Sequence, residues 1–195
     1  MKVAVVKYNA GNIQSVSFAL ERMGIDFIVT DNAEAIASAD KVLFPGVGEA
    51  STTMQYLREK KLDKMIANLQ QPVLGICLGM QLMCRYSEEN NTTCMGIFDE
   101  DVKLFIPQGD KKVPHMGWNQ LTLTSEDWLN KNLEQQNVYF VHSYYVPVNA
   151  FTSAVTDYIL PFSAALHKNN FYAVQFHPEK SAQAGELVLK SFLEL

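Results

Sequence analysis

The chain has 195 residues, enough for one well-filled core, and its 48% hydrophobic and 19% charged residues are the balance of an ordinary globular protein. A formal charge of −5, with no local basic run, gives no positive field over phosphates, so nucleic acid is not an expected partner. No stretch nears the ~20 consecutive apolar residues that cross a bilayer. The N-terminus lacks the apolar core and cleavage site of a signal peptide and reads as a first strand. Three cysteines, Cys77, Cys84 and Cys94, are an odd number without disulfide-framework spacing. These features predict a cytoplasmic protein without membrane contact.

Taken in chain order, the first ninety or so residues alternate strand and helix patterns. Residues 2–8 form a β-rich apolar run. Ile13, Val16, Ala19 and Leu20 then recur at helical spacing through residues 12–23, and Gly24 stands where helices commonly end. A short strand is expected at 26–30 and a short helix at 32–39. Residues 41–44 read as a strand stopped by Pro45-Gly46-Val47-Gly48, 51–69 as a helix, 72–76 as a fully apolar buried strand, and 80–86 as a further helix. Such alternation builds a mostly parallel sheet covered by helices on both faces.

The second half changes character. Strands are predicted at 102–105, 120–124, 138–146, 152–158, 164–167 and 171–176, several joined by hairpin-length polar links such as Lys168-Asn169-Asn170. A last helix over 182–193 opens at Ser181, a good N-cap type. No internal repeat or linker divides the chain. The expectation is one α/β domain over residues 1–195, flavodoxin-like, its doubly wound and mostly parallel sheet extended by antiparallel strands.

Chemistry concentrates at two places. Gly75-Ile-Cys77-Leu-Gly79 has the grammar of a nucleophile elbow, an apolar strand turning sharply through a Gly-x-nucleophile-x-Gly element into a helix. A hundred residues later, Gln175-Phe-His177-Pro-Glu179 supplies an imidazole after another strand, with a carboxylate two residues on. In open parallel sheets the crevice lies at the carboxyl ends of the strands, so Cys77, Pro45-Gly46 and His177 can converge there. A cysteine at a helix start feels the positive end of the dipole. His177 would take the thiol proton and return it to a leaving amine, while Glu179 holds the other ring nitrogen. Backbone N–H groups of Leu78 and Val47 are the natural oxyanion donors.

Each element alone has a plainer meaning. A cysteine after an apolar strand is usually a small buried hydrophobe, His-Pro-Glu is usually a turn, and Pro-Gly-Val-Gly is a loop. Their joint occurrence at strand ends carries the catalytic reading. Cys84 and Cys94 keep the structural one, and Cys84 sits roughly 10 Å along the helix from Cys77, too far for an easy disulfide. His115, His142 and His167 keep it too. No histidine pair has helical metal-ligand spacing and Cys-x-x-Cys is missing, so neither metal nor cofactor is predicted.

At these motifs the sequence resembles the class I (triad-type) glutamine amidotransferases. Tyr8-Asn-Ala-Gly-Asn-Ile13, Pro45-Gly-Val-Gly48, Val113-Pro-His-Met-Gly-Trp-Asn119 and Tyr139-Phe-Val-His-Ser-Tyr144 bring it, within that family, nearest to the glutaminase subunits of imidazole glycerol phosphate synthases. The resemblance implies hydrolysis of glutamine to glutamate through a cysteinyl thioester. It also implies delivery of the ammonia to a cyclase subunit, a (β/α)8 barrel bound as a heterodimer in histidine biosynthesis. It implies substrate contacts from Gly46, Val47, Gly48, Gln81 and Glu89 and from the backbone of Ser143 and Tyr144. It places Asn12, Trp118 and Lys180 on the face toward the cyclase. Two departures stand out: the segment Met95-Gly-Ile-Phe-Asp-Glu-Asp101 is more acidic than the family pattern, and Tyr145 replaces a commonly basic residue. Another Cys-His-Glu hydrolase, such as a γ-glutamyl peptidase, and a non-catalytic binding subunit are the competing readings.

Overall fold

The computed structural model describes residues 1–8, 12–124 and 127–195. Asn9, Ala10 and Gly11, inside the Tyr8–Ile13 motif, lie outside the described residues. The first half runs β1 (Val3–Val6), α1 (Ile13–Arg22), β2 (Phe27–Thr30), α2 (Ala33–Ala37), β3 (Lys41–Gly46), α3 (Ala50–Glu59), α4 (Leu62–Ala67), β4 (Val73–Cys77) and α5 (Leu78–Met83). The second half is mostly strands: β5 (Tyr86–Ser87), β6 (Thr92–Thr93), β7 (Asp101–Leu104), β8 (His115–Gln120), β9 (Thr122–Leu123) and β10 (Asn137–His142). Then come β11 (Tyr144–Tyr145), β12 (Thr152–Asp157), β13 (Pro161–Lys168), β14 (Phe171–Val174) and the helix α6 (Ala182–Leu193).

Eight strands make the main sheet in the order β2-β1-β3-β4-β14-β13-β12-β9. The five from β2 to β14 are mutually parallel, and β13, β12 and β9 continue antiparallel. Numbered along the chain, the parallel strands follow the flavodoxin-like order. Period-two alternation sorts their side chains to both faces. Val3, Val5, Leu43, Leu74 and Ile76 meet Val16 and Leu20 of α1 and Val188, Leu189 and Phe192 of α6. Ala4, Val6, Val42, Phe44 and Val73 meet Met54, Leu57, Ile66, Met80 and Leu82 of α3, α4 and α5. Burial on both faces explains why these strands read as continuous apolar runs. Two smaller sheets, β10-β8 and β11-β7-β5-β6, stand beside this frame.

Several boundaries differ from expectation, each for a local reason. The helix expected over 51–69 breaks into α3 and α4 at Lys61, whose φ of 59° is left-handed; the break lets Leu62 and Ile66 both reach the core. The strand at 41–44 continues through Pro45 and Gly46, which pair with Ile76 and Cys77. Pro45 is tolerated because the pairing with β1 ends at Leu43, so no ladder N–H is needed there. The helix expected at 80–86 begins earlier, directly after Cys77, and ends at Met83; Tyr86 and Ser87 pair instead with Thr93 and Thr92. The run 138–146 is interrupted at Ser143, between β10 and β11. In the acidic 95–101 segment, Asp99 and Asp101 both pair with Arg85, and Tyr145 stacks on Phe105 at 4.4 Å. Among the described residues no helix is long and apolar enough to cross a membrane.

Candidate active site

The carboxyl ends of β3, β4 and β14 bring three loops to one level. Gly46 pairs with Cys77 and Ile76 with Val174, so the residues that follow each strand stand side by side. Cys77 takes φ 53° and ψ −108°, a conformation that an L side chain rarely adopts. The sharp turn is the elbow that the glycine spacing predicts. It works because α5 passes close to β3: a Cβ on Gly79 would fall 1.9 Å from the Phe44 carbonyl oxygen. Leu78, first residue of α5, has a backbone N–H with no partner inside the helix.

A cleft of about 310 Å3 opens over this turn. Cys77, Leu78, Val47 and Gly48 line it, as do Gln81, Glu89, Ser143 and Tyr144. All eight are candidates that the sequence points to. Gly46 is the exception: it is buried beneath the loop and does not line the cleft. Glu89 Oε2 accepts from the Ala50 N–H at 2.8 Å, tying this wall to the start of α3. Burial lifts the Glu89 carboxyl above its ordinary range, against that hydrogen bond. Both N–H groups of Gln81 are engaged within the protein, with the Tyr144 carbonyl at 3.0 Å and Gln175 Oε1 at 2.9 Å. Its Oε1 is therefore the end left to meet a ligand.

Behind the cleft, His177 Nδ1 lies 2.7 Å from Glu179 Oε1, both side chains wholly buried. A carboxylate only accepts, so Nδ1 carries the hydrogen and Nε2 keeps a free lone pair. Nε2 is buried without a hydrogen-bond partner, so its lone pair is not taken up by another protein group. Burial disfavours the imidazolium, but the nearby Cys77 sulfur and the Glu179 carboxylate outweigh it and raise the His177 pKa above its ordinary value. Asn12, expected on the partner face, turns its side chain to this pair and donates to Glu179 Oε1. Its left-handed backbone, φ 71°, is one that Asn tolerates, and the side chain leaves α1 uncapped. Ser181 does not cap α6 through its side chain either. Its hydroxyl accepts from the Tyr139 N–H at 2.9 Å and donates to the His177 carbonyl at 2.6 Å, which fastens the imidazole's backbone to β10. Trp118 and Lys180 are exposed.

Sequence reasoning passed over His142, Val141 and Pro114, which also line the cleft. His142 Nδ1 meets the Tyr144 carbonyl at 2.7 Å, so it must donate there. Its Nε2 then accepts from His115 Nδ1 at 3.0 Å. Both rings are neutral: burial lowers the His142 pKa to about 3 and, helped by the Lys111 charge, the His115 pKa to about 4. In the unfolded chain each titrates near ~6.5. Stability from this pair is therefore complete above pH ~6.5 and is lost as pH falls toward the folded values. The raised His177 pKa works the other way, adding stability as pH falls through ~6.5, so the pair's own loss is read from a difference between variants. The pair should cost about 4 kcal/mol between pH 7.5 and pH 5, so over that range the wild type should lose about 2 kcal/mol more stability than His142→Asn, measured by urea unfolding. An equal loss in the variant would mean that the histidines do not carry it. Among the described residues no three His, Cys, Asp or Glu side chains gather closely enough to hold a metal ion.

A family profile described as "Glutamine amidotransferase class-I" matches residues 4–195. The chain belongs to this family. As a class-I amidotransferase it is 63% identical over 196 residues to the imidazole glycerol phosphate synthase subunit HisH of Bacteroides fragilis, with all of both chains covered. It is 42% identical over 201 residues to the subunit of the same name from Vibrio parahaemolyticus, covering 100% of this chain and 98% of the relative. Solved structures agree on the fold. PurLQS from Thermotoga maritima aligns with a TM-score of 0.72 at 15% identity, over 99% of this chain and 97% of that one. A structure described as a glutamine amidotransferase aligns at 0.73 and 16%, over 98% and 97%.

Proposed function

We propose that this chain, acting as one unit over residues 1–195, hydrolyses glutamine at Cys77 and passes the ammonia to a cyclase subunit of an imidazole glycerol phosphate synthase. The observation that carries the reading is a nucleophile held in a strained turn at the floor of a cleft, with a buried His-Glu pair behind it. His177 Nε2 takes the thiol proton, and the sulfur attacks the side-chain carbonyl carbon of glutamine. The N–H groups of Leu78 and Val47 receive the oxyanion. The tetrahedral intermediate collapses, the C–N bond breaks, and His177 returns the proton to the departing ammonia. Water, deprotonated by the same imidazole, then cleaves the thioester and frees glutamate. Glu179 holds Nδ1 throughout, and Asn12 holds Glu179. Glu89 is suited to the substrate ammonium, and the Ser143–Tyr144 backbone to its carboxylate.

The names of the relatives support a cyclase partner. We take that partner to be a (β/α)8 barrel in a one-to-one complex. The outward side chains of β8, Met116 at 64% and Trp118 at 55% exposure, are suited to a protein contact, with Lys180 beside the triad as a polar neighbour. Release of ammonia into water near neutral pH would leave it largely protonated, which favours direct transfer. Three free cysteines fit work in a reducing cytoplasm. The test is turnover of free glutamine against a γ-glutamyl peptide, each with and without the cyclase. Preference for glutamine, and faster hydrolysis when the cyclase carries its ligand, is the expected result. Preference for the peptide, or indifference to the cyclase, would favour a stand-alone hydrolase.

A further inference from the structure

One carbonyl sets the polarity of a buried amide chain that ends on the nucleophile. The Tyr144 oxygen can only accept, so Gln81 must present its NH2 there, at 3.0 Å, and cannot be turned over. The other N–H of that group reaches Gln175 Oε1 at 2.9 Å. Gln175 is fixed in turn: its oxygen faces Gln81, and its NH2 faces the Cys77 sulfur, with Nε2 3.7 Å from Sγ. The residue is wholly buried, and its backbone N–H is bonded to the Ala164 carbonyl at 2.8 Å. Nothing in the hydrolysis described above uses this side chain. Yet a donor already aimed at the sulfur costs no reorganisation when charge develops there.

We propose that Gln175 is a further catalytic residue, whose amide N–H holds the sulfur of Cys77 and the negative charge it gains as His177 takes the proton. Gln81 and the Tyr144 carbonyl act through it as positioning groups, so the wall that meets the substrate also orients the donor behind the nucleophile. The assignment rests on Cys77 being the nucleophile of the glutaminase.

Gln175→Glu replaces the donor by an acceptor, and Gln175→Met, which adds no charge beside the sulfur, must show the same change. One carboxylate oxygen still accepts from Gln81, the other faces the sulfur with no donor, and the shape is kept. The probe is iodoacetamide without glutamine, which forms a thioether on the sulfur and releases iodide. Alkylation of Cys77 at pH 7, followed by mass spectrometry of its peptide, should slow about tenfold or more. In glutamine hydrolysis kcat should fall similarly while KM stays within about twofold. Alkylation of folded Gln175→Glu at the wild-type rate would overturn the proposal. Should that variant not fold, Gln175→Met removes the donor at similar length, and the same two outcomes decide. Alkylation needs no turnover: a chain that never hydrolyses glutamine but shows the tenfold change would refute the glutaminase and leave this contact standing.

Discussion

Cys77→Ala should lower glutamine hydrolysis by on the order of 10⁵-fold, because removing a nucleophile leaves only what binding and the oxyanion donors supply. The protein should stay folded, since the side chain lost is small. Addition of ammonium salts to the complex with the cyclase should restore synthesis, which separates loss of the ammonia source from damage to the complex. A second comparison reads the backbone. At φ 53° and ψ −108° any Cβ is strained, so Cys77→Gly should be more stable than Cys77→Ala by about 1 kcal/mol. In a relaxed helix or strand that order is reversed. Urea unfolding of the two variants gives the sign directly. An alanine variant that is the more stable of the two would remove strain from the account of the elbow, and surviving hydrolysis in either would remove Cys77 from the chemistry.

The parallel half of the fold was legible because β1, β3, β4 and β14 are buried along their whole length. Apolar runs such as Val73–Ile76 have one reading, and Gly75 and Gly79 around Cys77 mark a turn that few other sequences need. The spacing of His177 and Glu179 survived for the same reason: both are set by local chain geometry after β14. β8 did not survive. His115, Gly117 and Asn119 alternate with the outward Met116 and Trp118, so the strand shows no inward apolar face to periodicity. Its pairing with β10 becomes visible only once the two segments are side by side.

What escaped at the site was polar and non-local. Gln81 and Gln175 are 94 positions apart and meet because β4 and β14 are neighbours in the sheet. His115 and His142 looked like ordinary structural histidines, and as neutral, buried groups they are structural; their bond to each other and that of His142 to the Tyr144 carbonyl were not readable. Gln175 did leave a faint signal, standing two residues before His177 just past the end of β14. Asn12 left none, because its role depends on a left-handed turn that Asn permits but does not require.

Gly46→Ala should damage function heavily, though less than loss of the nucleophile, and for a steric reason. A Cβ there would stand 2.1 Å from the Tyr8 hydroxyl. That hydroxyl cannot simply move: it is buried, donates to the Pro45 carbonyl at 2.5 Å, and its ring packs on Phe44. Burial, with the nearby Cys77, keeps the phenol protonated by raising its pKa, so the donor is permanent. The end of β3 must therefore shift, and Val47 and Gly48 with it. A displaced oxyanion donor costs on the order of 10²–10³ in kcat, and overpacking about 2 kcal/mol of stability. Tyr8→Phe alone should cost about 1 kcal/mol by leaving a carbonyl unpaired. Combined with Gly46→Ala it removes the clashing oxygen, so the double variant should be at least about 1 kcal/mol more stable than the sum of the singles predicts, with part of the activity regained. Recovery stays partial because the same Cβ would sit 3.1 Å from Leu78 Cβ and 3.2 Å from the Gly79 nitrogen. Strict additivity would mean that Gly46 is needed for some other property. Coupling would mean that the glycine marked from sequence as a substrate contact serves instead to let Tyr8 hold the oxyanion loop from below.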